Sequence, residues 1–171
     1  MGTSWWRRPP AVKQSPAAEP AQKIFAAFVN DWLSPALRER GFAGSRGSYG
    51  LRCHRCWALL SLQKSVSGTA AEVKFTVNLA VINKNTWTKA REEWPHLPER
   101  PSSANLSYGI GAPTERLGKL TPQAADKWWL VGSGVELEAV AEEIASLIDR
   151  FGLPWLSHQM DQQGCNESQA G

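Results

Sequence analysis

Over 171 residues the chain carries 19 Lys and Arg against 16 Asp and Glu, together with nine tryptophans. The excess of positive charge sits wholly in residues 1–23, where Arg7, Arg8, Lys13 and Lys23 face only Glu19; beyond them the charges cancel, which argues against the basic face of a nucleic-acid-binding domain. The length fits a single core with tails, and the longest apolar runs are far too short to span a bilayer.

Residues 1–20 are rich in Pro, Ala and Ser and lack an apolar period, so they read as a disordered arm. The opening lacks the apolar run of a secretory signal, and Trp6 stands where a myristoylation motif needs Ser or Thr. The expected location is cytoplasmic. The cluster Trp5-Trp6-Arg7-Arg8 offers a membrane surface or a partner groove only weak, reversible attachment.

In residues 21–40, Ile24, Phe25, Phe28, Trp32 and Leu37 recur at helical spacing. Ser34-Pro35 predicts a kink or a restart there, and Gly41 is placed as a left-handed cap. Residues 42–83 read as antiparallel strands. Phe75, Val77, Leu79 and Val81 share one face of the last, while Lys74, Thr76, Asn78 and Ala80 share the other. Trp57 to Gln63 is less regular, with apolar residues on both faces, and Ser67-Gly68-Thr69 supplies a turn between the two strands.

A long excursion follows over residues 84–113, with a short helix from Thr86 to Trp94 and then Pro95, Pro98 and Pro101 forcing an irregular path. Two short strands are expected at Glu115–Leu120 and Lys127–Val131. Leu137, Val140, Ile144, Leu147, Ile148 and Phe151 make the buried face of a closing helix over residues 136–151, stopped by Gly152. Residues 158–171 read as a frayed tail. The elements add up to one α+β domain over residues 21–157, an antiparallel sheet covered on one face by an N-terminal and a C-terminal helix.

The ordered set Gly41-Phe42, Leu62-Gln63-Lys64-Ser65, Phe75-Thr76-Val77-Asn78-Leu79, Arg116-Leu117-Gly118-Lys119-Leu120, Trp128-Trp129 and Leu153-Pro154-Trp155-Leu156 resembles the bacterial family called domain of unknown function 4304, over roughly residues 21–157. The resemblance implies an α+β domain and no established activity. It leaves the Pro-containing excursion and the Trp-Arg arm unexplained.

Three constellations bear on chemistry. Cys53-His54-Arg55-Cys56 has the spacing of a zinc half-site or a redox pair, and its sulfurs approach each other only if His54-Arg55 is a hairpin tip. Further ligands are confined to His54, His96, His158 and Cys165, none paired at metal spacing, so two reduced thiols beside a turn are the default and a labile disulfide the next reading. No cofactor is indicated. The second constellation is a polar sheet face of Gln63, Lys64, Ser65, Asn78 and Arg116, whose amides and guanidinium suit a carboxylate, a phosphate or a peptide backbone. Its bland counterpart has Arg116 paired with Glu115 or Asp126 and the amides bracing loops.

The third is the pair Trp128-Trp129, of which alternation sends one ring to the core and the other to the polar face. Trp87 and Trp94 are placed to close over that face from the excursion, while core packing and helix docking are the default for Trp32, Trp57 and Trp155. No Ser-His-Asp order, paired carboxylates or phosphate-cradling Gly loop is evident. The residues therefore favour a binding domain whose polar face takes a peptide, a protein partner or a small anion. The alternatives are an enzyme with a cleft under the 84–113 excursion, and an immunity-type protein of bacterial conflict systems.

Overall fold

The alternating stretch from Lys74 to Ile82 lies in the longest strand, β4 (Glu72–Asn83), in a computed structural model that describes residues 19–103 and 110–165. The expected arm before Glu19 and the tail after Cys165 lie outside the described residues. Along one side β4 pairs with β3 (Cys56–Lys64), followed outward by β2 (Ser48–Leu51) and β1 (Phe42–Ser45). Its other edge is shared by two short strands. β6 (Trp129–Gly132) pairs with Glu72–Phe75, and β5 (Thr114–Arg116) pairs with Asn78–Ala80. All six strands are antiparallel.

Phe75, Val77, Leu79 and Val81 point to the helix side and are sealed from solvent. Burying a side chain of that size contributes about 1.5–3 kcal/mol. Phe25, Phe28 and Trp129 surround Phe75, with ring centroids 5.2, 5.6 and 6.0 Å away. Helices from both ends of the chain supply the rest of this core, so the expected α+β architecture is the observed one.

Both helical segments widen ahead of a proline. α1 (Ala21–Ala27) runs into a π-helical stretch at Phe28–Leu33 before α2 (Ser34–Glu39) begins, and Ser34 N–H bonds the Val29 carbonyl five residues back. Pro35 has no N–H for the carbonyl four residues before it and would crowd that carbonyl with its ring. A wider turn relieves both problems, and the restart falls at Ser34 as expected. Gly41, at φ +86°, then closes the helix as its left-handed cap.

The C-terminal side repeats the device and corrects the sequence reading. α4 (Leu137–Leu147) passes through a π-helical stretch at Ile148–Gly152 into α5 (Leu153–Gln162), with Pro154 following the wide turn. Gly152 does not stop the helix; it is buried within it, against Leu117 and Leu79. The chain is thus helical through Gln162, into the stretch from residue 158 onward where the sequence suggested fraying. Arg40 ties the two helical segments together, donating two hydrogen bonds of 2.7 Å to Asp149. These bonds raise its pKa further above the usual guanidinium value.

The excursion covers half of the other sheet face. α3 (Lys84–Glu93) starts at Asn83, whose side chain accepts the Asn85 N–H. Trp87, Ala90 and Leu97 pack on Ile82 in a second apolar cluster, with Trp57, Trp94 and Ile110 at its border. The Trp87 indole N–H is bonded to the carbonyls of Pro98 and Glu99, which fixes the Pro-rich path. Trp32 departs from its expected core position: it is 40% exposed on the outside of the helical layer.

Candidate functional site

Strand pairing decides which of the candidate residues meet. Ser61, Asn78 and Arg116 are direct neighbours across β3, β4 and β5, and Gln63 faces Thr76 one step along. These side chains lie on the outer face, opposite the helices. Ser61 shares a small cavity with Pro101 and Ser103 of the excursion. Farther along the outer face Thr76 is buried, while Leu130 is exposed.

Asn78 Nδ2 donates to Gln63 Oε1 at 2.9 Å, so the two amides brace each other rather than a loop. Arg116 Nη1 is bonded to Asp126 Oδ2 at 2.6 Å, the pairing that the bland reading anticipated. The Trp128 indole N–H reaches the same carboxylate oxygen at 3.2 Å. Above all the hydrogen bond from Arg116, and then that from Trp128, hold the Asp126 carboxyl below its usual pKa. The Trp128 ring carries two cations, with the Arg116 guanidinium 5.1 Å and the Lys74 ammonium 5.6 Å from its centroid. Leu130, opposite Lys74 and 46% exposed, adds an apolar neighbour.

Gly118 brings this group together. Arg116 ends β5 and a tight 3-10 turn follows at Leu117–Leu120, over which residues 125–127 fold back. A Cβ on Gly118 would stand 2.5 Å from Lys127 Cβ and 2.7 Å from the Ala125 carbonyl oxygen. Only a bare Cα lets the returning chain lie this close and deliver Asp126 to Arg116.

The tryptophan pair divides as alternation requires. Trp128 is half-buried on the outer face, and Trp129 enters the core, where its indole N–H donates to Glu143 Oε2 at 2.9 Å. Trp129 is therefore no part of an outer-face surface. Lys64 leaves the group too: paired with Phe75, it points to the helix side, donates to Gln22 Oε1 at 2.8 Å and lies over the Phe25 ring. Ser65 is engaged in its own turn, with its hydroxyl 2.7 Å from that of Ser67. Trp87 packs at the far end of β4 and does not close over Trp128. Lys74 and Leu130 were missed, though the alternation that placed Asn78 outward also places Lys74 there.

The Cys53–Cys56 segment is the connection of the β2–β3 hairpin, as the close-sulfur reading required. The cysteines nevertheless pair differently from the expectation of two reduced thiols. Cys56 forms a disulfide with Cys165, their Cα atoms 5.7 Å apart, and Cys53 is the free thiol. Among the described residues no three His, Cys, Asp or Glu side chains are grouped to hold a metal ion, and no helix is long and apolar enough to cross a membrane.

Of the known protein families, the domain of unknown function DUF4304 matches residues 33–158. No curated protein and no solved structure matches the chain.

Proposed function

Since the chain belongs to the DUF4304 family, whose name assigns no activity, we propose from its own surface that it is a binding module for a protein segment bearing carboxylate side chains. The carrying observation is the outer-face strip on which Lys74 and Arg116 both lie over Trp128 beside exposed Leu130. A guanidinium has five donors, and the described contact with Asp126 uses one. The others suit a second carboxylate, while Trp128 and Leu130 supply the apolar contact that gives such a surface affinity. The half-buried amides of Gln63 and Asn78 border the strip, and the hydrogen-bonding capacity left by their mutual bond suits a peptide backbone.

The test is affinity capture from the native host's lysate on the full-length chain, with wild type, Arg116→Ala and Leu130→Asp as baits that melt alike. A protein retained by wild type and lost from both variants supports the reading, provided an acidic segment of it binds in isolation. Retention of the same species by all three baits overturns it. A small anion eluting in place of a protein assigns the strip to a metabolite instead.

A further inference from the structure

The Cys-x-x-Cys segment has no part in the outer face, yet it lies beside a disulfide that involves only one of its two cysteines. Cys56 opens β3 and is buried, as is its partner Cys165. Cys53 is half-buried at the hairpin connection, and its sulfur accepts the Cys56 N–H at 3.3 Å. The free thiol thus lies against the backbone of the residue whose own sulfur holds the C-terminal segment. The β2–β3 register has Leu51 opposite Ala58, and its continuation brings Cys53 opposite Cys56, where facing Cα atoms of antiparallel chains lie about 4.5–5.5 Å apart. Disulfides need Cα separations of about 4.4–6.8 Å, so Cys53 and Cys165 are alternative partners for Cys56.

We propose that these three cysteines form a thiol–disulfide exchange site, in which Cys53 displaces Cys165 from Cys56. Cys53 gives its proton to solvent and attacks Cys56 Sγ. The Cys53–Cys56 bond forms as the Cys56–Cys165 bond breaks, and Cys165 leaves as a thiolate that takes up a proton. The protein keeps one disulfide and one thiol throughout, so the step needs neither oxidant nor reductant.

The exchange changes what is tied down. After α5 the chain turns back, with Cys165 N–H bonded to the Met160 carbonyl and Asn83 Nδ2 donating to the Gln163 carbonyl at 3.1 Å. Asn83 is also the cap of α3. Gly164 forms part of the wall of a polar cavity of about 350 Å³, together with His54, Arg55, Asn83, Lys84 and Asn85. Release of Cys165 removes the covalent tie beside that wall, and exchange therefore loosens the cavity. A cross-link that can be passed along in this way acts as a conformational switch rather than a permanent staple.

Tryptic cleavage after Arg52, Arg55 and Arg150 puts the three cysteines on separate peptides, so the pairings are directly readable. Full-length oxidised protein is incubated with iodoacetamide without reductant, quenched in acid and mapped without reduction. The expected result is two linked species, Cys56–Cys165 with label on Cys53 and Cys53–Cys56 with label on Cys165. In Cys53→Ser the label on Cys165 is lost. Cys165→Ser treated with oxidised glutathione is expected to join Cys53 to Cys56. Wild-type label confined to Cys53, or present on all three cysteines, overturns the proposal. So does Cys165→Ser carrying glutathione separately on Cys53 and Cys56. The wild-type map decides even if a variant fails to fold.

Discussion

Gly118→Ala tests how the outer face is assembled. The added Cβ would stand 2.5 Å from Lys127 Cβ, 2.7 Å from the Ala125 carbonyl oxygen and 2.8 Å from the Lys127 nitrogen, and two of these neighbours are backbone atoms. Nothing at the flexible end of a side chain can give way, so residues 125–127 must lift. Overpacking of this kind costs about 1–3 kcal/mol. The reduced freedom of the unfolded chain offsets about 0.4–1 kcal/mol. A net loss of roughly 1–2 kcal/mol lowers the melting temperature by roughly 2–8 °C in a chain of this size. The same lift carries Asp126 away from Arg116 and Trp128. Calorimetry reads the first effect, and the acid titration of tryptophan fluorescence the second, through an Asp126 transition that moves up toward its ordinary value. An unchanged melting temperature with an unchanged transition would show that the returning chain does not rest on Gly118.

Three further outcomes follow from the same geometry. Arg116→Ala is expected to melt within a few degrees of wild type, because both partners of the ion pair are substantially exposed; a large loss in calorimetry makes Arg116 structural and removes it from the proposed surface. The Asp126 carboxyl has a folded pKa below 3.8, so its contribution to stability is complete above that value and is lost as the pH falls through the lower folded one. In acid-unfolding experiments Asp126→Asn should therefore be less stable than wild type at neutral pH, and the two should converge only in the acid limb. Reduction of the Cys56–Cys165 bond, which spans 109 residues, is expected to cost about 2–4 kcal/mol in denaturant titrations; an unchanged midpoint means that the bond does not form in solution.

Most of the architecture was legible because β4 alternates cleanly and the closing helix has an unbroken apolar stripe. Parity alone separated Trp128 from Trp129. The same rule would have separated Lys64 from Gln63, but β3 obscured its own register: Trp57 and Leu59 are apolar on the outer face, where Trp57 borders the excursion's apolar cluster and Leu59 lies beside Pro101 and Ser103, and so the strand reads as apolar on both sides. Gly152 misled for a local reason. A glycine followed closely by a proline resembles a helix stop, while the wide turn that accommodates Pro154 is not encoded in any single residue. The Cys56–Cys165 pairing joins residues too far apart in sequence for spacing to reveal. Asp126 was only one of two acids available to Arg116, and the choice rests on the close approach at Gly118.

The outer face is also held from the opposite side of the sheet. Residues 127 and 129 both point to the helices, and both reach the same carboxylate on α4: Trp129 donates to Glu143 Oε2 at 2.9 Å and Lys127 pairs with Glu143 Oε1. Trp128 sits between these two anchors, so its outward ring is fixed from behind as well as by Asp126. A surface fixed before the ligand arrives loses less conformational freedom on binding. Glu143→Ala removes both anchors without altering any outward side chain. It is expected to speed amide hydrogen exchange at residues 127–130 and to weaken retention of a protein captured through Arg116 and Leu130. Faster exchange with undiminished retention would show that Asp126 alone positions Trp128, and unchanged exchange would show that the stacking of Trp129 on Phe75 suffices to hold β6.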